Sequence, residues 1–232
     1  MGTRHLICVF YLGRFVIAQY GQFDGYPEVQ GLAVITFLLG PGNIARLKAG
    51  LAHTYAPTAE EIEEMTRVIA RQGDEHRAAV VRGEVSVMSR MKPTCPSLWR
   101  ETSAGVLEVV AGATAAGGAV PIYQELGFIH DGLFCEWAYV VDLDAEVLEV
   151  YSGVEKEREG SSQRFKDVDG AEKGWVPALV KSFAFGELPG TKDDLVRAIN
   201  EAIEVRAREA LAREQRKDGG GDNAAAAVSA VL

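Results

Sequence analysis

A chain of 232 residues with 47% hydrophobic and 25% charged residues carries enough apolar material for one substantial core, which excludes a disordered or fibrous protein. A net charge of −9 excludes broad, non-specific nucleic-acid binding. Cys8, Cys95 and Cys135 are scattered and odd in number, so no disulfide framework is expected; with no Cys-x-x-Cys pair and no His cluster, no structural metal is expected either.

The first elements are two β-rich runs, Thr3–Phe10 and Arg14–Tyr20, joined by Tyr11-Leu12-Gly13; they predict a hairpin turning on Gly13. Alternation places Phe15, Ile17 and Gln19 on one face of the second strand, with Arg14, Val16, Ala18 and Tyr20 on the other. A polar, aromatic loop follows over Gly21–Pro27. Pro27 suits the first turn of a helix over Glu28–Leu39, which Gly40-Pro41-Gly42 breaks. A second helix is expected over Asn43–His53. A third begins at Thr58, where Thr58 and Glu61 form a capping box and four glutamates follow the cap.

Pro93 and Pro96 mark a loop, Thr102–Ala111 a short helix, and Gly112–Ala119 a connection. Leu133–Asp142 and Val147–Tyr151 predict a second hairpin through Leu143-Asp144-Ala145. Its first strand would show Cys135, Trp137, Tyr139 and Val141 on one face, with Phe134, Glu136, Ala138 and Val140 on the other. Glu155–Gly174 reads as an excursion, Val176–Phe185 as a strand, and Thr191 caps a last helix to about Gln215. The expectation is one α+β domain over residues 1–215, its mostly antiparallel sheet built from two hairpins around a helical middle. Residues 216–232 read as a low-complexity, mobile tail.

No G-x-G-x-x-G follows a strand and no P-loop occurs, so no nucleotide cofactor is expected. No apolar run approaches the roughly 20 residues of a membrane span, and the N-terminus resembles neither a leader peptide nor a myristoylation site. The expected setting is the cytoplasm, with no membrane partner.

The loop with the richest chemistry is Gln19 to Pro27. Gln19, Gln22, Asp24 and Tyr26 lie there between a strand and a helix start, where free backbone amides can hold an oxyanion. Asp24-Gly25 is also ordinary turn chemistry. Arg4 can hold a carboxylate in fork geometry. Glu136, beside Trp137 and amid apolar neighbours, needs a partner or a cleft, and there it can grip a guanidinium or act as acid and base. Cys135 reads as an inert core thiol. His5, His53, His76 and His130 show no paired spacing, and His5 points away from the face of Cys8. Between Thr66 and Arg100, seven basic residues (Arg67, Arg71, Arg77, Arg82, Arg90, Lys92, Arg100) face three acidic ones (Asp74, Glu75, Glu84), a local net of +4. That is either a solvated helix face or a docking surface for phosphate such as tRNA.

Gly2-Thr3-Arg4 with Gln19-Tyr20-Gly21-Gln22-Phe23-Asp24-Gly25-Tyr26-Pro27, and Phe134-Cys135-Glu136-Trp137-Ala138-Tyr139-Val140-Val141-Asp142-Leu143-Asp144, resemble a widespread, mostly uncharacterised group of fungal proteins with bacterial relatives. Val29 departs from it, standing where that group has a small residue, usually Gly. The group in turn is similar to the fungal arginine-containing cyclodipeptide synthases. That resemblance implies a cytosolic enzyme without cofactor that joins arginine from arginyl-tRNA to a second aminoacyl-tRNA.

On this reading Asp24 and Glu136 recognise substrate, Arg4 and Gln22 contact an oxyanion or carboxylate, and Tyr26 handles protons. Two alternatives stand beside it. One is an amidohydrolase that uses the freed amine of Thr3, after loss of Met1 and Gly2. The other is a non-catalytic module for small-ligand binding or interaction.

Overall fold

The computed structural model describes residues 2–219. Strands β1 (His5–Tyr11) and β2 (Arg14–Gly21) form the expected N-terminal hairpin, turning through Leu12 and Gly13, both at positive φ. The aspartate of the second hairpin's turn holds this one: Asp144 accepts from the Leu12 and Gly13 amides at 3.0 and 2.9 Å.

A five-residue π-helical turn, Pro27–Gly31, leads into α1 (Leu32–Leu39), and α2 is Asn43–Leu51. Strand β3 (Thr54–Tyr55) precedes α3 (Ala59–Val81), whose capping box at Thr58 and Glu61 forms as expected. Next come α4 (Val106–Ala111), β4 (Val120–Pro121), β5 (Trp137–Asp142), β6 (Val147–Lys156), β7 (Trp175–Ala184) and α5 (Lys192–Gly219). The last helix runs past Gln215, through the first residues expected to belong to a tail; residues 220–232 lie outside the described part.

The five-stranded sheet has the order β2-β1-β5-β6-β7. Every neighbouring pair is antiparallel except β1 and β5, which run parallel and fuse the two hairpins into one α+β sheet. Strands β3 and β4 pair separately and in parallel. At two residues each they are too short to show a period, and the sequence does not reveal them.

One face of the sheet carries Ile7, Val9, Ile17, Tyr139 and Val141, and is covered by apolar residues of α1, α2, α4 and α5. The other carries Leu6, Cys8, Ala18 and Val140, and is covered by the turn Leu126–His130 and by Phe165 of the excursion after β6. A sheet covered on both faces explains why its central strands read as nearly continuous apolar runs. Helix α3 differs: of its 23 residues only Ile69 is buried, so it stands largely in solvent.

Two expected face assignments change. A bulge leaves Val16 unpaired between Ile17 and Phe15, since Val9 pairs with Ile17 and Phe10 with Phe15. Phe15 therefore stacks on Phe165 at 5.2 Å on the excursion side, and Val16 packs toward the helices. Leu133–Glu136 are not strand. Cys135 sits in a turn, its amide bonded to the Asp131 carbonyl, and packs with Leu6 and Cys8 rather than on the face of Trp137 and Tyr139.

Among the described residues no single helix is long and apolar enough to cross a membrane. One apolar pair, Pro27–Leu39 with Asn43–Leu51, bends by 96°, and its residues Val34, Ile35, Phe37, Leu38 and Leu47 belong to the helix-side core.

Candidate functional site

The parallel pairing of β1 and β5 brings their starts together at one end of the sheet, where β2 also ends. There the loop after β2 folds across the entry to β1. The Gly25 amide donates to the Thr3 carbonyl at 3.0 Å, the Gln22 amide to the Arg100 carbonyl at 3.4 Å, and the buried Tyr139 hydroxyl to the Gly25 carbonyl at 2.8 Å.

Beneath this loop lies His5, with 0% of its surface exposed and neither ring nitrogen hydrogen-bonded. An unpartnered buried imidazole is uncommon and calls for a reason. Its cross-strand partner is Gly21. A methyl group on Gly21 would lie 2.1 Å from His5 Nε2 and 2.7 Å from Ser103 Oγ, so both polar atoms lie close to the bare side of the glycine, with no hydrogen bond between them. A methyl on Gly25 would lie 3.0 Å from His5 Nδ1 and 2.9 Å from the Thr3 carbonyl oxygen. Both glycines are needed for close approach to the imidazole.

Ser103 is buried and, although not a glycine, has φ of +48° at the head of the short helical segment that continues into α4. Backbone in that region is strained for a serine and is concentrated at functional positions. Its hydroxyl has one weak contact, to the Arg100 carbonyl at 3.5 Å.

Burial pulls the pKa of His5 down to about 4; the nearby Thr3 carbonyl and the Asp24 carboxylate oppose the shift and are outweighed. The ring is therefore neutral at pH 7. With its proton on Nδ1, on the side of the Thr3 carbonyl, Nε2 keeps a free lone pair.

The lowered pKa has a consequence for stability. Below 6.5 the unfolded chain takes up a proton that folded His5 refuses until about 4, so stability present above pH 6.5 is lost as the pH falls through that window. His5 contributes on the order of 3 kcal/mol to this loss. His130, whose pKa burial also lowers, adds to it with the same sign. Urea midpoints at pH 7, 5.5 and 4 should fall steeply in the native chain and distinctly less in His5→Gln.

The residues expected from sequence are distributed around this centre. Gln19 is buried and its amide donates to the Trp99 carbonyl at 3.4 Å, a strut for the segment that carries Ser103. Gln22 accepts from the Tyr20 hydroxyl at 2.7 Å. Asp24 is exposed at φ +57°, and Tyr26 is half exposed. The free amides expected at the helix start are occupied: those of Val29, Gln30 and Gly31 converge on the Tyr26 carbonyl.

Arg4 lies with its guanidinium 4.3 Å over the Phe134 ring, and its amide donates to Glu136 Oε1 at 3.3 Å. Glu136 is exposed, just ahead of β5 rather than within it. Asp24 and Glu136 thus flank the entry of β1, one through Gly25 and Thr3, the other through Arg4. Trp137 pairs with His5 across β1 and β5 and packs toward the helices.

Burial, reinforced by Asp131 and Glu136, pushes the Cys135 thiol up to about 12, as befits an inert core residue. The basic middle segment is partly neutralised. Arg67 pairs with Glu63 and Glu64, Arg77 with Asp74, and Arg82 with Glu84. Arg71, Arg90, Lys92 and Arg100 form no ion pair among the described residues. Among those residues no group of three His, Cys, Asp or Glu side chains is placed to hold a metal.

Ser103 was not legible from sequence. Read as part of a helix starting at Thr102, it has no period or motif to mark it, and only the left-handed backbone and its place beside Gly21 single it out. No family model, no curated protein and no solved structure matches this chain.

Proposed function

We propose that the chain is an acyl-transfer enzyme that works at the start of β1 on activated amino-acid esters, with His5 as its proton carrier. The observation that carries this reading is the buried, neutral and unpartnered imidazole of His5 beneath the Gln22–Tyr26 loop. An activated ester makes amide formation downhill, so the protein needs to position an amine, accept its proton and exclude water. His5 supplies a base that is unprotonated at neutral pH, and the loop supplies the cover.

The substrate class follows from what surrounds that centre. Asp24 and Glu136 are exposed carboxylates without an ion-pair partner among the described residues, suited to a cationic side chain such as arginine's guanidinium. Arg71, Arg90, Lys92 and Arg100 supply the charge for a nucleic-acid carrier. The reading is an arginyl-tRNA-dependent cyclodipeptide synthase: two aminoacyl esters give one cyclic dipeptide and two free tRNAs. The alternative that frees the Thr3 amine would have to excise Gly2, which is wedged against the Phe23 ring and the Gln22 carbonyl.

Purified protein given arginyl-tRNA and a mixture of other charged tRNAs should release an arginine-containing diketopiperazine, detected by mass spectrometry. Asp24→Asn and Glu136→Gln should each raise KM for the arginyl donor roughly tenfold or more, with thermal stability unchanged. A folded protein that yields no diketopiperazine from any such mixture sinks the proposal.

A further inference from the structure

We infer that the cleft between the C-terminal end of β6 and helix α5 is a second ligand site, built for a small amphipathic carboxylate. Its carboxylate head is held by Arg158 and Arg206, and its apolar body lies along Ile203, Ala207 and Ala210. The cleft stands at β6, two strands from His5, and the inference does not depend on the acyl-transfer reading.

The cleft follows from how α5 is patterned. Leu195, Ile199, Ile203 and Ala207 recur every four residues and Ala210 follows, so all five share one face of the helix. Leu195 and Ile199 are 1% exposed and complete the helix-side core. Beyond them the facing wall recedes: Ile203 is 38% exposed, and Ala207 and Ala210 are exposed. Across the gap stand Ser152, Glu155 and Lys156 of β6, with Arg158 just past its end. A bulge between Tyr151 and Val154, with Gly153 at φ of +62°, redirects the strand there. The space between measures about 830 Å³, the size of a small-molecule site.

Charge sets the class of ligand. Glu155, with 18% of its side chain exposed, is shared by Arg206 at 3.2 Å and Arg158 at 3.4 Å, and accepts from the Ser161 hydroxyl at 3.1 Å. Each guanidinium gives it one N–H and has four others. Those donors suffice to grip a second carboxylate in fork geometry. Arg206 is 27% exposed, so its charge is less screened than that of a surface arginine. Lys156 has no ion pair among the described residues, while Glu157 accepts from the Gln163 amide at 3.2 Å. Arg213, two turns along α5, is neutralised by Glu209 at 2.9 Å. Lys156, Arg158 and Arg206 against Glu155 and Glu157 leave one positive charge in excess. A monoanion balances it; a phosphate monoester, at about −1.5 to −2, overshoots. An ion pair that served the fold alone would need one guanidinium for Glu155, not two beside an unfilled apolar wall.

The test is calorimetric titration of the full chain with decanoate, below its micellar concentration, and with 1-decanol, decylamine and decyl phosphate. We expect one saturable decanoate site per chain, decanol and decylamine weaker by at least about tenfold, and decyl phosphate no tighter than decanoate. Ala207→Phe fills the cleft without touching a charge, and Arg206→Gln removes one arm of the clamp. Each should weaken decanoate by at least about tenfold while the protein stays folded. Arg197→Gln, on the same helix but in an exposed pair with Asp194, should bind as the native chain does. No saturable binding to the folded chain, unchanged affinity in folded Ala207→Phe, or decanol bound as tightly as decanoate would each overturn the inference, as would tighter binding of decyl phosphate. Several decanoates per chain, insensitive to both substitutions, would show adsorption as a surfactant and overturn it too.

Discussion

Gly21→Ala should leave a protein that folds but has lost acyl transfer by at least about a hundredfold, the scale of a general base removed from its place. The added methyl would stand 2.1 Å from His5 Nε2, 2.2 Å from Cε1 and 2.7 Å from Ser103 Oγ, distances at which no carbon can remain. The strand does not yield easily, because Gly21 is paired opposite His5 at the end of β2. The imidazole is the softer partner, and it must rotate out of its place or drag the loop with it. Overpacking of this kind costs about 1–3 kcal/mol, within the reach of a stable domain. Activity and stability should therefore separate: a thermal melt a few degrees lower beside a rate near background. Loss of rate in proportion to loss of folded protein would show that the glycine serves the fold alone.

The largest effect on stability is expected at Arg164. This residue comes from the excursion after β6 and reaches back to the sheet, where it meets Asp142 at 2.6 Å and Glu149 at 2.8 Å. All three side chains are largely shielded, with 16%, 4% and 14% of their surfaces exposed. Burial opposes the charge on Arg164, but the bonds to Glu149 and then Asp142 outweigh it and hold the guanidinium firmly protonated. The guanidinium also lies 4.9 Å over the Phe10 ring, and the Tyr151 hydroxyl donates to Glu149 at 3.0 Å.

Arg164→Ala leaves two carboxylates facing each other in a shielded space and should cost about 3–5 kcal/mol in urea or thermal unfolding. Lysine should restore only part of this, since one ammonium cannot span both acids in fork geometry. A variant that removes all three charges, Arg164→Met with Asp142→Asn and Glu149→Gln, should be more stable than Arg164→Ala, because no unpaired charge remains. An Arg164→Ala protein within 1 kcal/mol of the native chain would show the network to be screened by water after all.

Much of the fold could be read along the chain. The two hairpins, the helix break at Gly40-Pro41-Gly42, the capping box at Thr58 and the cap at Thr191 each depend on residues a few positions apart. Simple alternation misplaces the faces of β2 before Ile17, because a bulge is one unpaired residue and leaves no mark on hydrophobicity when Val16 and Phe15 are both apolar. The charge count over residues 66–100 leaves out Glu63 and Glu64, which lie just before that window, yet the helix turns them onto Arg67.

What the sequence by itself determined is the set of local elements, the α+β class and the place of the Gly21–Pro27 loop between strand and helix, all products of short-range sterics and of polar–apolar alternation. The candidate site was decided only in three dimensions. The parallel pairing of β1 with β5 brings Trp137 beside His5, and the segment before α4 delivers Ser103 to the same point from the middle of the chain. Contacts of that kind are set by which apolar surfaces fit together, a global competition that no single residue or spacing encodes.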